Sequence, residues 1–113
     1  MELFEENTSR HGYWHGDVIL HKQTMTAYVA KIEPGENGYV LAEGEVTGHQ
    51  HKITDIWEVE YYQSHTRRYL KVNKETMLLH EEHHALTLAP DTYEVKQVRE
   101  FDPWDDTSRF IKD

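Results

Sequence analysis

Short apolar segments alternate with turn residues from Gly16 onward, and this alternation constrains the fold more than any other feature of the sequence. The turns recur at spacings of about eight to twelve residues, which is typical of an antiparallel β-sandwich or barrel. Helix signals are few. With 113 residues the chain has room for one domain. The sequence therefore predicts an all-β fold of about eight strands, a single small antiparallel β-barrel or sandwich.

The clearest strand pattern covers residues 53–62. Trp57, Val59 and Tyr61 fall on one face and two glutamates fall on the other, because side chains alternate along a strand. The same reasoning predicts the other strands at residues 17–20, 26–32, 39–46, 68–72, 76–80, 85–88 and 93–101. A turn at residues 34–38 carries two glycines suited to positive φ and joins two of these strands as a hairpin.

Polar segments without a clear period flank the predicted strands on both sides. We expect residues 1–15 to form a loosely ordered N-terminal arm, 16–101 the β domain and 102–113 a C-terminal tail. Trp104, Phe110 and Ile111 lie in that polar tail. These three side chains either cover an open end of the β domain or dock onto a partner.

The charge balance argues against several classes of function. Twelve Lys and Arg against 21 Asp and Glu give a formal net charge of −9, which opposes the phosphate contacts of general nucleic-acid binding. No run approaches the roughly 20 apolar residues of a membrane helix, and the first residues lack the features of a signal peptide. We therefore expect a soluble cytoplasmic protein that does not associate with a membrane.

Histidine is the unusual residue, with nine copies in the chain. Cysteine is absent, so a metal ion must be bound by His, Asp, Glu or water. His49 and His51 would project from the same face of an extended chain, about 7 Å apart at their Cα atoms. A second segment, residues 80–84, holds three histidines and two glutamates. We expect one metal ion to be bound between these two segments.

Two backbone conformations are open for this second segment. A helix would place His80 and His84 on one face with Glu81 as general base, the arrangement of HExxH metallopeptidases. A strand would place His80, Glu82 and His84 on one face, with Glu81 and His83 on the other. The flanking residues read as strands and supply no third ligand motif, so they favour the strand over the peptidase.

The strand arrangement resembles the cupins. Gly44, His49 and His51 are similar to the first cupin motif, and residues 90–93 are loosely similar to the turn of the second. The resemblance implies a small, cupin-like barrel with an internal histidine site.

A resemblance to a second family covers about residues 16–104. It is carried by Gly16-Asp17-Val18, Leu41-Ala42-Glu43-Gly44-Glu45-Val46-Thr47-Gly48-His49-x-His51, His80-Glu81-Glu82-His83 and Tyr93-x-Val95-x-x-Val98-Arg99-Glu100-Phe101. These stretches resemble a family of short, uncharacterised proteins encoded by bacteriophages and bacterial mobile elements. The resemblance favours His49, His51, His80 and His83 as the ligands, leaves open whether His84 replaces His83, and implies the cytoplasm of a host bacterium.

These observations predict a divalent transition metal, Zn, Mn, Fe or Ni, bound by His49, His51, His80 and His83. Glu81 or Glu82 would be the fourth ligand or general base, and Arg99 either clamps an anionic ligand or forms an ordinary cross-strand ion pair. Such a site is typical of a metal-dependent hydrolase or isomerase acting on a small, nucleotide-like substrate. The alternative is a non-enzymatic accessory protein, homodimeric or bound to a host or phage protein through its acidic surface and aromatic tail.

Overall fold

The computed structural model describes residues 11–43 and 48–97 in full, together with the backbone of 8–9, 99–102 and 107–110. These residues form thirteen β-strands, numbered here in chain order, and every strand pairing is antiparallel. The predicted all-β fold is therefore confirmed. Within the described ranges no helix is long and apolar enough to cross a membrane.

Seven strands form the main sheet. They are β1 (Thr8–Ser9), β2 (Gly12–His15), β3 (Val18–Lys22), β4 (Ala30–Ile32), β7 (Val59–Gln63), β8 (Arg68–Val72) and β11 (Asp91–Gln97). Their order across the sheet is β1-β2-β3-β11-β8-β7-β4. Because β1 and β4 lie at opposite edges, the sheet stays open. Of the two predicted architectures, the sandwich is the one that fits.

Hairpins build the opposite layer of the sandwich. β5 (Tyr39–Glu43) pairs with β6 (Gln50–Ile53), and β9 (Thr76–Leu78) pairs with β10 (Leu86–Leu88). The two hairpins meet where the backbones of Lys52 and Leu79 exchange hydrogen bonds of 2.9 and 2.8 Å. A further hairpin, β12 (Arg99–Asp102) with β13 (Thr107–Phe110), follows β11 along the chain.

The hydrophobic core lies between the two layers. The main sheet contributes Val18, Leu20, Leu70, Tyr93 and Val95, and the hairpins contribute Tyr39, Leu41, Ile53, Leu78 and Leu88. All of these side chains are buried. They alternate with exposed or half-buried residues along most strands, as expected for sheets with one face turned to the core.

Two predicted strands are shorter than their sequence pattern indicates. In the segment 53–62, Thr54 and Asp55 begin a turn in which the Glu58 amide donates to the Asp55 carbonyl at 2.9 Å. Trp57 is consequently 88 % exposed whereas Val59 and Tyr61 are buried, so the prediction that the three share one strand face is wrong at Trp57. In the segment 26–32, Tyr28 has φ of +64°, a left-handed conformation that no strand accommodates, so the strand begins only at residue 30.

The N-terminal arm and the C-terminal tail are only partly covered by the structure. Residues 12–15, at the end of the expected arm, form β2 and pair with β3, and His15 there is fully buried. The side chains of Trp104, Phe110 and Ile111 lie outside the described residues, so their role stays a prediction.

Candidate functional site

The fold brings five imidazoles together. His15 ends β2, His51 lies in β6 with His49 just before it, and His80 and His83 lie in the loop between β9 and β10. The ring centroids are 5.1 Å apart for His15 and His51, 4.3 Å for His51 and His80, and 4.6 Å for His80 and His83. We call His15, His51, His80 and His83 the histidine cluster; His49 lies at its rim, 5.4 Å from His80.

A tight turn between β2 and β3 brings two layers together at the cluster. Gly16 occupies this turn with φ of +60°, a conformation that glycine adopts without steric cost. A Cβ atom at Gly16 would lie 2.5 Å from His83 Nε2 and 3.2 Å from His51 Cε1. The absence of a side chain at this position therefore allows the imidazoles from the opposite layer to approach the turn.

Hydrogen bonds fix the orientation of His15 and His51. His15 Nε2 lies 2.7 Å from the backbone carbonyl oxygen of His84. His51 Nε2 lies 2.9 Å from Oδ1 of Asp17, which is itself buried. A carbonyl oxygen and a carboxylate oxygen accept hydrogen bonds, so both imidazoles carry a proton on Nε2.

The remaining nitrogens of these two rings face each other. His15 Nδ1 and His51 Nδ1 are 3.1 Å apart. Burial is the main cause that lowers the pKa of His15 below its ordinary value and the pKa of His51 to about 4, so both rings are neutral at pH 7. Two neutral rings protonated on Nε2 present two lone pairs to each other. That contact is repulsive unless a proton or a cation lies between the nitrogens.

The other two members of the cluster differ in how their nitrogens are used. His80 Nδ1 accepts hydrogen bonds from the backbone amides of Glu82, at 2.9 Å, and His83, at 3.3 Å. These bonds shape the loop that follows β9. His83 Nε2 is buried and makes no hydrogen bond with any residue that the structure describes. A buried acceptor or donor without a partner is costly, and such atoms are often explained by an ion or ligand.

The predicted acids lie at the rim of the cluster. Glu81 is exposed, and its Oε1 accepts a hydrogen bond of 2.9 Å from the Gln50 amide, a bond that lowers the pKa of Glu81 below its ordinary value. Glu82 is also exposed, with Oε1 3.7 Å from His49 Nδ1. Glu82 therefore keeps more freedom to act as a base than Glu81 does. The side chain of Arg99 lies outside the described residues, so its predicted role stays a prediction.

Neither predicted conformation of the second histidine segment is found. Residues 80–85 form a bent loop, neither a helix nor a strand. His80 and His84 therefore do not share a helical face, and the HExxH arrangement is absent. The side chain of His84 is exposed, and only its carbonyl contacts the cluster. The loop follows from the capping bonds to His80 Nδ1, which satisfy backbone amides without regular structure.

His15, Asp17 and Gln97 belong to the site although the sequence pattern did not indicate them. Gln97 donates from Nε2 to Asp17 Oδ2 at 2.7 Å, which extends the buried chain from His51 to β11. His15 lies in the segment that the sequence predicts as an arm. The adjacent Gly16 and Asp17 carry a signal only through the family resemblance.

The cluster is not a completed metal site as it stands. No group of three or more His, Asp or Glu side chains within residues 11–43 and 48–97 has its donor atoms arranged to hold one ion. The two Nδ1 atoms of His15 and His51 already converge, whereas Nδ1 of His80 is engaged with the amides of its own loop. The cluster thus offers two oriented imidazole donors, and the rings of His80 and His83 lie close to that of His15.

Fold and cluster together define a class of protein: a small all-β sandwich with buried imidazoles between its layers. Within that class, the chain belongs to a family described as a domain of unknown function (DUF8820), whose profile matches residues 14–98. The match includes the whole histidine cluster together with Asp17 and Gln97. It agrees with the predicted membership in an uncharacterised family. No curated protein and no solved structure matches the chain.

Proposed function

We propose that this protein binds one divalent transition metal ion in the histidine cluster. His15 and His51 would bind it through Nδ1 and His83 through Nε2. His80 would be the further ligand if its ring releases the loop amides. The rim residue His49, predicted from the sequence as a ligand, would be a further ligand beside His80, from which its ring centroid lies 5.4 Å away.

The observation that supports this proposal is the contact of 3.1 Å between His15 Nδ1 and His51 Nδ1. Two nitrogens bound to one tetrahedral zinc ion at about 2.0–2.1 Å lie about 3.3 Å apart. The observed separation is close to this value. A cation between the two nitrogens converts a repulsive contact into two coordinate bonds, and each ring keeps its outer hydrogen bond to a carbonyl or carboxylate, as metal-bound histidines do.

The donor set bears on the choice of metal. Imidazole suits Zn, Fe and Ni, whereas Mn is better matched by carboxylate and carbonyl oxygens. All four members of the histidine cluster offer nitrogen, and the nearest acid, Asp17, is engaged with His51 and Gln97. Among the four metals predicted from the sequence, Zn, Fe and Ni are therefore favoured over Mn.

A metal ion in this position would supply Lewis acidity to a hydrolase or isomerase acting on a small, nucleotide-like substrate. Glu82 would accept a proton from a bound molecule; its exposure and its position 3.7 Å from His49 Nδ1 support this role. Glu81 would hold the loop against β6 through Gln50. The proposal includes a cupin-like mode of metal binding and an origin in a phage or mobile element, with action in the host cytoplasm.

Metal analysis of matched variants tests the proposal. We expect about one Zn, Fe or Ni per wild-type chain and less than about a tenth as much in a His15→Ala/His51→Ala double variant. His83→Ala removes a half-buried ligand and should weaken binding without unfolding the chain, in case the double variant does not fold. A wild-type protein that takes up none of these metals would overturn the proposal.

Two controls use histidines outside the cluster. His84→Ala keeps the backbone carbonyl that His15 contacts, so it should bind metal normally. Loss of the metal would instead show that His84 replaces His83 as a ligand. His65→Ala changes an exposed residue in the turn between β7 and β8, outside the histidine cluster. It reports any general effect of removing an imidazole. Both variants should match the wild type in metal content.

The alternative of a non-enzymatic accessory protein is favoured by exposed aromatic side chains. Tyr28 is 97 % exposed and Trp57 is 88 % exposed, and aromatic residues are enriched in protein interfaces. The spectrum of the Co²⁺-loaded protein separates the two functions. Four protein ligands give a tetrahedral spectrum that added azide leaves unchanged, which favours a structural metal, whereas a shift on adding azide indicates an open position suited to catalysis.

A further inference from the structure

The buried carboxylate of Asp17 differs from the other acids in the described part of the chain. It lies in the turn between β2 and β3, is 1 % exposed, and forms no ion pair with any Lys or Arg in the described part of the chain. Burial of a carboxylate without a cationic partner is costly. Its two oxygens are instead used for hydrogen bonds, from His51 Nε2 at 2.9 Å and from Gln97 Nε2 at 2.7 Å.

We propose that Asp17, held by Gln97, is the positioning residue that keeps the His51 proton on Nε2 and directs the Nδ1 lone pair toward the metal. This inference rests on the proposed metal site. Asp17 does not touch the metal position itself. It acts through His51, and Gln97 acts through Asp17.

The geometry explains why a carboxylate is required at position 17. A carboxylate can only accept from His51, so the proton must stay on Nε2. An asparagine offers an amide group that can donate to His51 Nε2 instead. The His51 proton would then move to Nδ1 and form a hydrogen bond with His15 Nδ1, which relieves the contact of 3.1 Å without a metal. Metal binding would have to reverse this change.

We therefore expect Asp17→Asn to weaken metal binding without destabilising the metal-free protein. Metal affinity should fall about 10- to 100-fold, the typical effect of changing a partner behind a metal ligand. The metal-free variant should be no less stable than the metal-free wild type, because the two facing nitrogens gain a shared proton. An ordinary structural role for Asp17 would produce the opposite result in the metal-free protein.

Zn²⁺ titration measures the affinity, denaturant unfolding measures the stability of the metal-free protein, and ¹⁵N NMR of the imidazoles locates the His51 proton, all in the full chain. We expect the wild-type metal-free protein to carry the His51 proton on Nε2 and the variant to carry it on Nδ1. Glu94→Gln is the matched control, since Glu94 is a buried acid on the same strand as Gln97 but on the opposite face of the sheet. It should change neither the affinity nor the proton position of His51.

The outcomes separate this inference from the proposed function. If the wild type binds Zn²⁺ and Asp17→Asn changes neither the affinity nor the His51 proton, the positioning role is wrong and the metal site stands. If the wild type binds no metal but the proton moves to Nδ1 in the variant, Asp17 sets the proton position and the proposed function fails. Should Asp17→Asn not fold, Gln97→Ala replaces it, with an expected loss of affinity of a few fold.

Discussion

Two polar clusters of this protein satisfy their hydrogen-bonding groups to different degrees. Near Trp57, the Glu60 carboxylate accepts from the Tyr62 hydroxyl at one oxygen and from Asn73 Nδ2, at 2.8 Å, at the other. The histidine cluster instead leaves His15 Nδ1 and His51 Nδ1 facing each other and His83 Nε2 unpaired within the described residues. A cluster whose polar atoms all have hydrogen-bond partners stabilises a fold. A buried cluster in which polar atoms lack such partners indicates a ligand.

The pH dependence of stability should distinguish the two clusters most strongly. His51 has a pKa of about 4 in the folded protein, below its ordinary value of 6.5, so the unfolded chain binds protons that the folded chain does not. The metal-free protein should therefore lose about 3 kcal/mol of unfolding free energy as the pH falls from about 6.5 to 4. Denaturant titrations at low protein concentration, in the presence of a chelator, measure this loss.

The Glu60 cluster has a different pH window. Hydrogen bonds from Tyr62 and Asn73 lower the pKa of Glu60, so its contribution is present at neutral pH and is lost only below its ordinary value of 4.5. A His51→Phe variant should flatten the slope between pH 6.5 and 4, and Glu60→Gln should not. Equal slopes in the wild type and His51→Phe would show that the histidine cluster is not the origin of the effect.

Replacement of Gly16 should give the next largest effect. Gly16→Ala places a methyl group in a left-handed backbone position and against His83 Nε2, so we expect a loss of about 1–2 kcal/mol and weaker metal binding. Gly48→Ala is the control, because Gly48 has a similar φ of +76° but no atom of the described residues lies within 4 Å of the added Cβ. Gly48→Ala should cost stability without affecting the metal. A similar loss of metal in both variants would contradict the contact with His83.

Tyr62→Phe should have a smaller effect, confined to the satisfied cluster. It removes one of the two hydrogen bonds to Glu60, which contributes about 0.5–1.5 kcal/mol. Metal content should be unchanged, because Tyr62 lies outside the histidine cluster. Thermal unfolding combined with metal analysis checks both statements, and a loss of metal in this variant would mean that the two clusters are coupled.

Trp57→Ala should have the smallest effect. Trp57 lines a cavity of about 350 Å³ together with Glu60 and Asn73, yet its side chain is almost fully exposed. We expect a change within about 0.5 kcal/mol, as for most surface substitutions. Val59→Ala, two residues further on and buried, should cost about 1–3 kcal/mol in the same denaturation assay. Similar losses in the two variants would contradict the exposure of Trp57 and support the predicted strand face shared with Val59.

The alternation of apolar and turn residues by itself determined the all-β class and most of the strands. The prediction for residues 68–72 coincides with β8, and those for 17–20 and 93–101 locate β3 and most of β11. The alternation failed at Trp57 because period two also occurs by chance across a turn. The two histidine-rich segments were likewise evident from composition, and the fold does bring them together.

Only the tertiary structure decided which groups meet in the cluster. His15 and His51 are 36 residues apart and Asp17 and His51 are 34 residues apart, and no local pattern connects them. Their contact depends on the turn at Gly16 and on the packing of β6 against the main sheet. Local sequence sets the period of a strand and the face of each side chain, whereas the register and layering that join distant strands are set by the burial of the whole core.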